Sequence, residues 1–316
     1  MQDKHKLLLL AAIAILFSGL FIGLGLTADN YEYFLSRRVP KVLAMVIAGV
    51  SIGLSSLAFQ TITHNRILTP SIMGFDSLYL FSKVLMVALF GGLTGIAMNS
   101  YVNFVVSLIA MLGFSLLLFG FYFRGERQNL MVLLLLGVIL GQVFDSSSAF
   151  LIMLMDPTDF AAVLANMFAS FNNVSVDLVY LCAPLLCLVS WRLYTLHRLL
   201  DVFWLDKDNA ISLGVDVKKV TLQILLLSAL LISIATALIG PLLFFGLLVT
   251  NVTREMFSNY QHKILFVAVA LLSVAALLSG QWIVENVFGF TTTLSVVINF
   301  IGGLYFLTML LRNKIV

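Results

Sequence analysis

Charge is scarce in this sequence. Only 10% of its 316 residues are Asp, Glu, Lys or Arg, and 61% are hydrophobic. A soluble domain carries about a quarter charged residues, and no soluble fold could bury so large an apolar excess, so the solvent for most of this chain is lipid. The net charge of +3 gives no basic surface for nucleic acid. Cysteine is nearly absent. Cys182 and Cys187 sit five apart in one apolar stretch, where they do not share a helix face, and they read as plain thiols rather than a disulfide or a metal site. The four histidines, His5, His64, His197 and His262, lie in or near polar connectors. No HExxH or Walker A motif occurs, and the single GxSxG match, Gly49 to Gly53, lies inside a long apolar run rather than on a strand-to-helix turn, which argues against an intramembrane hydrolase and assigns any ATP-driven step to a separate chain. Low-complexity tracts, linkers and a second soluble domain are also missing, so residues 1–316 read as a single transmembrane domain.

What is present is a series of long apolar runs. A membrane-spanning helix needs about twenty apolar residues, and ten candidates fit: 7–26, 42–61, 72–92, 100–122, 130–154, 176–195, 219–238, 241–256, 263–284 and 292–311. The eighth is short and is expected to be tilted, broken or re-entrant. The first follows Lys4 and Lys6 without a small-residue cleavage site, so it reads as a retained helix rather than a signal peptide. The charges agree with this count. With both termini cytoplasmic, all but four of the 18 Lys and Arg residues fall on the inner side, as the positive-inside rule requires. The exceptions are Lys83, within a span, and Arg37, Arg38 and Lys41, together in one outer loop.

Several polar features interrupt the apolar background. Segment 199–219 is the longest inner connector and mixes both charge signs. Outer segment 156–177 has no Lys or Arg but holds Asn166, Asn172 and Asn173, and reads as a broken helix, which membrane depth tolerates where it lines a cavity. With Asn299 and Gln60, these amides are the candidate lining of a pathway. Asp76, Lys83 and Asp145 lie in or near spans, where an ionisable group usually faces an interior or water. Asp76 and Lys83 share a face but are too far apart to pair, and a structural partner on another helix is as good a reading as a transport role. The small residues Ala48, Gly49, Gly53 and Ser56, and the pair Gly302–Gly303, let helices approach closely.

Several of these stretches, in chain order, resemble the FecCD family of permeases, the type II ABC importers for iron chelates, haem and cobalamin. Arg38-Val39-Pro40-Lys41 opens an Ala/Gly-rich helix ending at Gln60 and is similar to the family's Arg-aliphatic-Pro-Arg. Asn65 to Pro70, followed by Gly74, resembles Asn-Pro-Leu-Ala-x-Pro with a downstream Gly. Asp208-Asn209-Ala210 leading to Leu213-Gly214-Val215 resembles Ala-x-x-Leu-Gly-Val. Gly240-Pro241, Phe244, Gly246, Leu247 and Arg254 resemble Gly-Pro-Ile-x-Phe-x-Gly-Leu…Arg, and Glu285, Gly289 and Thr292 resemble the closing Glu-x-Pro-x-Gly-x-x-Thr. The departures are Arg66 and Val287 for prolines, Thr250-Asn251 for Pro-His, and Gly302-Gly303-Leu304 for Gly-Ala-Pro. They mark a divergent branch.

The resemblance implies an all-α fold of about ten transmembrane helices and a permease that is not itself an enzyme. It implies a bacterial cytoplasmic (inner) membrane location and no cofactor of its own. The implied partners are a second permease, a sister chain or a second copy, two ATPase subunits beneath, and an extracytoplasmic substrate-binding protein outside. A ferric siderophore is the expected substrate, with haem or cobalamin as rivals. A secondary transporter or channel is the competing class, and neither an embedded ion site nor an inverted repeat speaks for it. Asp206, Asp208, Asn209, Ala210, Leu213 and Gly214 look like the segment that couples to the ATPase. Arg37, Arg38 and Lys41 are candidates for docking carboxylates of the binding protein, against the alternative of snorkelling to headgroups.

Overall fold

The structure is a computed structural model that describes residues 3–24, 26–27, 31–92, 94–124, 130–172, 174–205, 207–289 and 292–311. Within them the chain is helical, with no strand. The helices are α1 (Asp3–Gly23), α2 (Tyr31–Thr63), α3 (Phe75–Phe90), α4 (Gly95–Met98), α5 (Ser100–Arg124), α6 (Leu130–Met153) and α7 (Pro157–Asn166). The remainder are α8 (Val176–Thr195), α9 (His197–Phe203), α10 (Lys207–Ser212), α11 (Val217–Ile239), α12 (Phe245–Met256), α13 (His262–Asn286) and α14 (Leu294–Leu311).

Each of the ten apolar runs becomes a helix. Seven of them, α1, α2, α5, α6, α8, α11 and α13, are long and apolar enough to cross a bilayer. The other three are shortened for visible reasons. The third run starts with a 3-10 turn, Pro70–Met73, before α3. The last, α14, is the shorter apolar helix. The eighth is broken as expected: α12 has 12 residues, roughly 18 Å at 1.5 Å per residue, too short for a hydrocarbon core of about 30 Å. The missing length is the non-helical stretch between Gly240, at φ +94°, and Phe244. This irregular backbone meets a second one. Ser170 N–H donates to the Ile239 carbonyl at 2.9 Å, and a β-carbon on Gly240 would lie 3.0 Å from Ala169 Cα. Two unwound segments thus satisfy each other inside protein, the condition under which such backbone survives at membrane depth.

The hub of the bundle is α2, buried almost continuously from Val42 to Ile62 and packed on α8, α11, α12 and α13. Its small-residue stripe explains the closeness. A β-carbon on Gly49 would come within 3.2 Å of the Ser273 and Val274 backbone of α13, and Gly246 of α12 sits directly on Ser56. Gly302 is likewise closed by Phe244, whereas Gly303 faces open space. Large apolar side chains cover the outside instead, among them Ile15, Leu117, Phe121, Leu188 and Trp191. A helix apolar on all sides needs either a core or lipid around it, and these have lipid. The three ionisable residues within the spans find separate partners, Asp76 and Lys83 buried and Asp145 exposed. Asp76 accepts from Thr236 Oγ1 of α11 at 3.5 Å, Asp145 accepts from Ser77 Oγ at 2.9 Å, and Lys83 lies over the Tyr79 ring.

Candidate functional site

At the end of the bundle where α2 terminates, connector 199–219 folds into α9 and α10. A turn after α10 completes it. Gly214 takes φ +80°, its N–H donates to the Ile211 carbonyl at 2.9 Å, and Val215 N–H donates to the Ala210 carbonyl at 3.1 Å. This pair of bonds around a left-handed glycine is the Schellman stop. It turns the chain sharply into α11, whose first turn is capped by Asp216. The Asp216 carboxylate accepts from Lys219 N–H at 3.1 Å and pairs with its ammonium at 3.1 Å. The backbone bond and the cation hold its carboxyl below the usual range, as expected for an acid at a helix N-terminus.

This turn sets the direction of the connector's side chains. Ala210 is fully buried against the body, while Asp208 and Asn209 are exposed, Asn209 bonding back to the Leu205 carbonyl at 2.8 Å. Leu205, Ile211 and Leu213 are 58%, 53% and 63% exposed. Together they form an exposed apolar tip on a charged connector, the kind of patch that serves as an interaction surface. A β-carbon on Gly214 would meet nothing within 4 Å, so within this chain the residue serves the backbone turn, with free space beside it for a partner. Asp206 lies outside the described residues.

The opposite end gathers the cations Arg37, Arg38 and Lys41 around a cleft of about 760 Å³ between α1, α2, α8 and α13. The three are not equivalent. Arg38 donates to the carbonyls of Ile22, at 3.3 Å, and Leu24, so it caps the C-terminal end of α1, where orphan carbonyls favour a cation. Lys41 is only 16% exposed and pairs with the equally covered Glu285 of α13. It also donates to Asn172 Oδ1 at 2.5 Å, and Gln281 donates to Glu285 at 2.6 Å. Only Arg37 is exposed, resting over the Tyr33 ring.

The candidate pathway amides are scattered. Gln60 is buried at the connector end and donates to the Arg66 carbonyl at 2.7 Å, beside Asn251, which donates to the same carbonyl at 2.9 Å. Two departures from the family pattern, Arg66 and Asn251, therefore touch. Asn172 belongs to the opposite end. Asn299 lies on α14 with a buried Oδ1 that finds no partner. Asn166 closes α7 with its side chain outside the described set, as is all of Asn173. Sequence reasoning singled out Asp145 but missed the more coherent set to which it belongs. Gln142, Asp145 and Ser146 are exposed together midway along α6, on one face at i, i+3 and i+4. Facing lipid they would be costly, so this face meets water or another protein surface. The i, i+3, i+4 spacing was the available signal. Among the described residues no cluster of His, Cys, Asp and Glu could hold a metal ion.

Comparison with known proteins covers nearly the whole chain. The sequence model of the FecCD transport family matches residues 6–312. The chain is 44% identical to the petrobactin import system permease protein YclO of Bacillus subtilis, over 99% of both chains. It is 35% identical to the petrobactin import system permease protein FatC of Bacillus anthracis, over 88% of this chain and 78% of that one. In fold it is similar to a solved protein described as an inward-facing metal-chelate type ABC transporter, with a TM-score of 0.85 at 20% identity, over 98% of this chain and all of the other.

Proposed function

Because this chain belongs to the FecCD transport family, we propose that it is the permease subunit of an ABC importer that passes a ferric siderophore of the petrobactin type across a bacterial cytoplasmic membrane. Both relatives above carry that substrate in their names. The observation that carries the mechanical reading is the exposed apolar tip of Leu205, Ile211 and Leu213 on an otherwise polar connector. A chain without a nucleotide-binding loop must receive the work of ATP hydrolysis by contact, and this tip is the surface built for it. Two permeases would face each other across the polar stripe of α6, so that Gln142, Asp145 and Ser146 line the path from both sides. Cells lacking this chain should lose uptake of radiolabelled ferric petrobactin and regain it on complementation. Uptake unchanged by the deletion would refute the substrate assignment.

Both termini and connector 199–219 are then cytoplasmic, and the cleft of Arg37, Arg38 and Lys41 receives the binding protein. Arg37 is the cation to test, because reversing Arg38 or Lys41 also breaks the α1 cap or the Glu285 pair. Arg37→Glu should weaken binding-protein association severalfold at low ionic strength and less at physiological salt, since an exposed charge acts mainly on encounter. Association insensitive to this change at low salt would remove Arg37 from docking. The same position reports orientation. In a background without Cys182 and Cys187, an impermeant thiol reagent should label Arg37→Cys in intact cells and leave Asp208→Cys untouched; the reverse pattern would invert the topology.

A further inference from the structure

The coupling segment does not only lie against the bundle; it is bolted to it at one place. Asp201, on α9, accepts two hydrogen bonds from the same residue of α13: from the backbone N–H of His262 and from its Nδ1, both at 2.7 Å. The carboxylate therefore fills an orphan donor at the start of α13 and fixes the imidazole at once. With Nδ1 committed, the other ring nitrogen, Nε2, faces Thr61 Oγ1 of α2 at 2.8 Å. Arg254 of α12 reaches the same hydroxyl at 3.3 Å. Trp204, directly after α9, closes the cluster. Its ring meets the His262 ring edge-on at 6.5 Å and carries the Arg254 guanidinium 4.5 Å above it. His262 is 1% exposed and the Asp201 side chain 28%, so the imidazole is shielded from solvent while the carboxylate lies at the edge of the bundle. The connector is thus bonded to α13 directly, to α2 through the His262 imidazole, and to α12 through the Trp204 ring under Arg254.

We propose that Asp201 and His262, with Thr61, form the rigid joint that carries displacement of α9 and α10 into α2 and α13, making them positioning residues for coupled transport. The proposal rests on connector 199–219 being the ATPase contact. Short directional bonds transmit a push because their geometry has little slack, whereas apolar contacts alone let α9 slide over the hub.

The test uses the full importer in liposomes with its ATPase and binding protein. It reads three quantities: ATPase retained on purification, stimulated ATP hydrolysis, and chelate moved per ATP hydrolysed. Asp201→Ala is expected to keep the ATPase bound within about twofold but to lower chelate per ATP by roughly tenfold, the scale such networks carry. Asp201→Asn, which retains an acceptor for both donors, should recover most of that ratio. Thr61→Val, a milder change of nearly equal volume, should move the ratio in the same direction, and it carries the test alone if Asp201→Ala does not insert. A wild-type ratio in Asp201→Ala and Thr61→Val overturns the joint. So does loss of the ATPase in Asp201→Ala with a normal ratio in Thr61→Val, because the contact then only shapes the docking surface. Failure of the underlying coupling assignment is distinguishable: Leu213→Asp would then assemble and transport normally.

Discussion

Leu213→Asp should leave the chain inserted in the membrane and all but abolish its co-purification with the ATPase. Leu213 is 63% exposed at the tip of the α10 turn, so the change costs little in the isolated chain. Its cost falls on the complex, where a carboxylate would enter an apolar groove without a partner. A loss of about 2.8 kcal/mol already weakens binding on the order of a hundredfold. Neighbouring Gly214 separates shape from charge. At φ +80° any side chain is strained, by roughly 1–2 kcal/mol for most residues and less for Asn. Gly214→Asn should therefore keep the Schellman stop and retain much of the binding. Gly214→Trp should lose it, because it adds bulk to the strain at the side left open for a partner. Co-purification and binding-protein-stimulated hydrolysis check both positions. Wild-type assembly and transport in Leu213→Asp and Gly214→Trp together would exclude this segment as the coupling element.

Gly74→Ala should be strongly destabilising for a single added methyl. Gly74 joins the 3-10 turn to α3 at φ +87°. A β-carbon there would stand 2.9 Å from both the Gly137 carbonyl oxygen and Gly141 Cα of α6. Both neighbours are backbone, so neither can rotate away. Left-handed strain of roughly 1–2 kcal/mol adds to an overpacking cost of about 1–3 kcal/mol. Gly137→Ala meets Met73 backbone at 2.9 Å but keeps a helical backbone, so it should cost less. Thermal unfolding in detergent should rank wild type above Gly137→Ala and Gly137→Ala above Gly74→Ala. Because α6 carries the polar stripe, Gly74→Ala should also lower transport in the population that still inserts. A Gly74→Ala protein as stable as wild type would mean that α3 and α6 do not pack as closely as the structure has them.

Much of this protein was legible one residue at a time. Lipid as solvent follows from the apolar fraction, and each of the ten runs is a helix because a chain in lipid must satisfy its backbone internally. The break in the eighth run was one of the readings its short length allowed. The stripe of Gly49, Gly53 and Ser56 was legible as close packing, although not which helices it would meet. The candidate docking cations were legible only as a group. Nothing local distinguishes Arg37 from Lys41, and the difference arises because Glu285, 244 residues onward, returns to the same end of the bundle. Gln142, Asp145 and Ser146 had the right spacing, yet a polar residue on an apolar helix reads equally as an interior one until the other helices show which face stays uncovered. The bond from Asp201 to His262 spans 61 residues and that from His262 to Thr61 spans 201, so no window of sequence contains the cluster. What the sequence determined by itself was the solvent, the apolar runs that become helices and the places where helices break and approach, because these depend on composition, period and local backbone freedom. Which side chains share a site was decided only by the tertiary structure, because a hydrogen bond of about 3 Å depends on how separate helices are turned and stacked against one another.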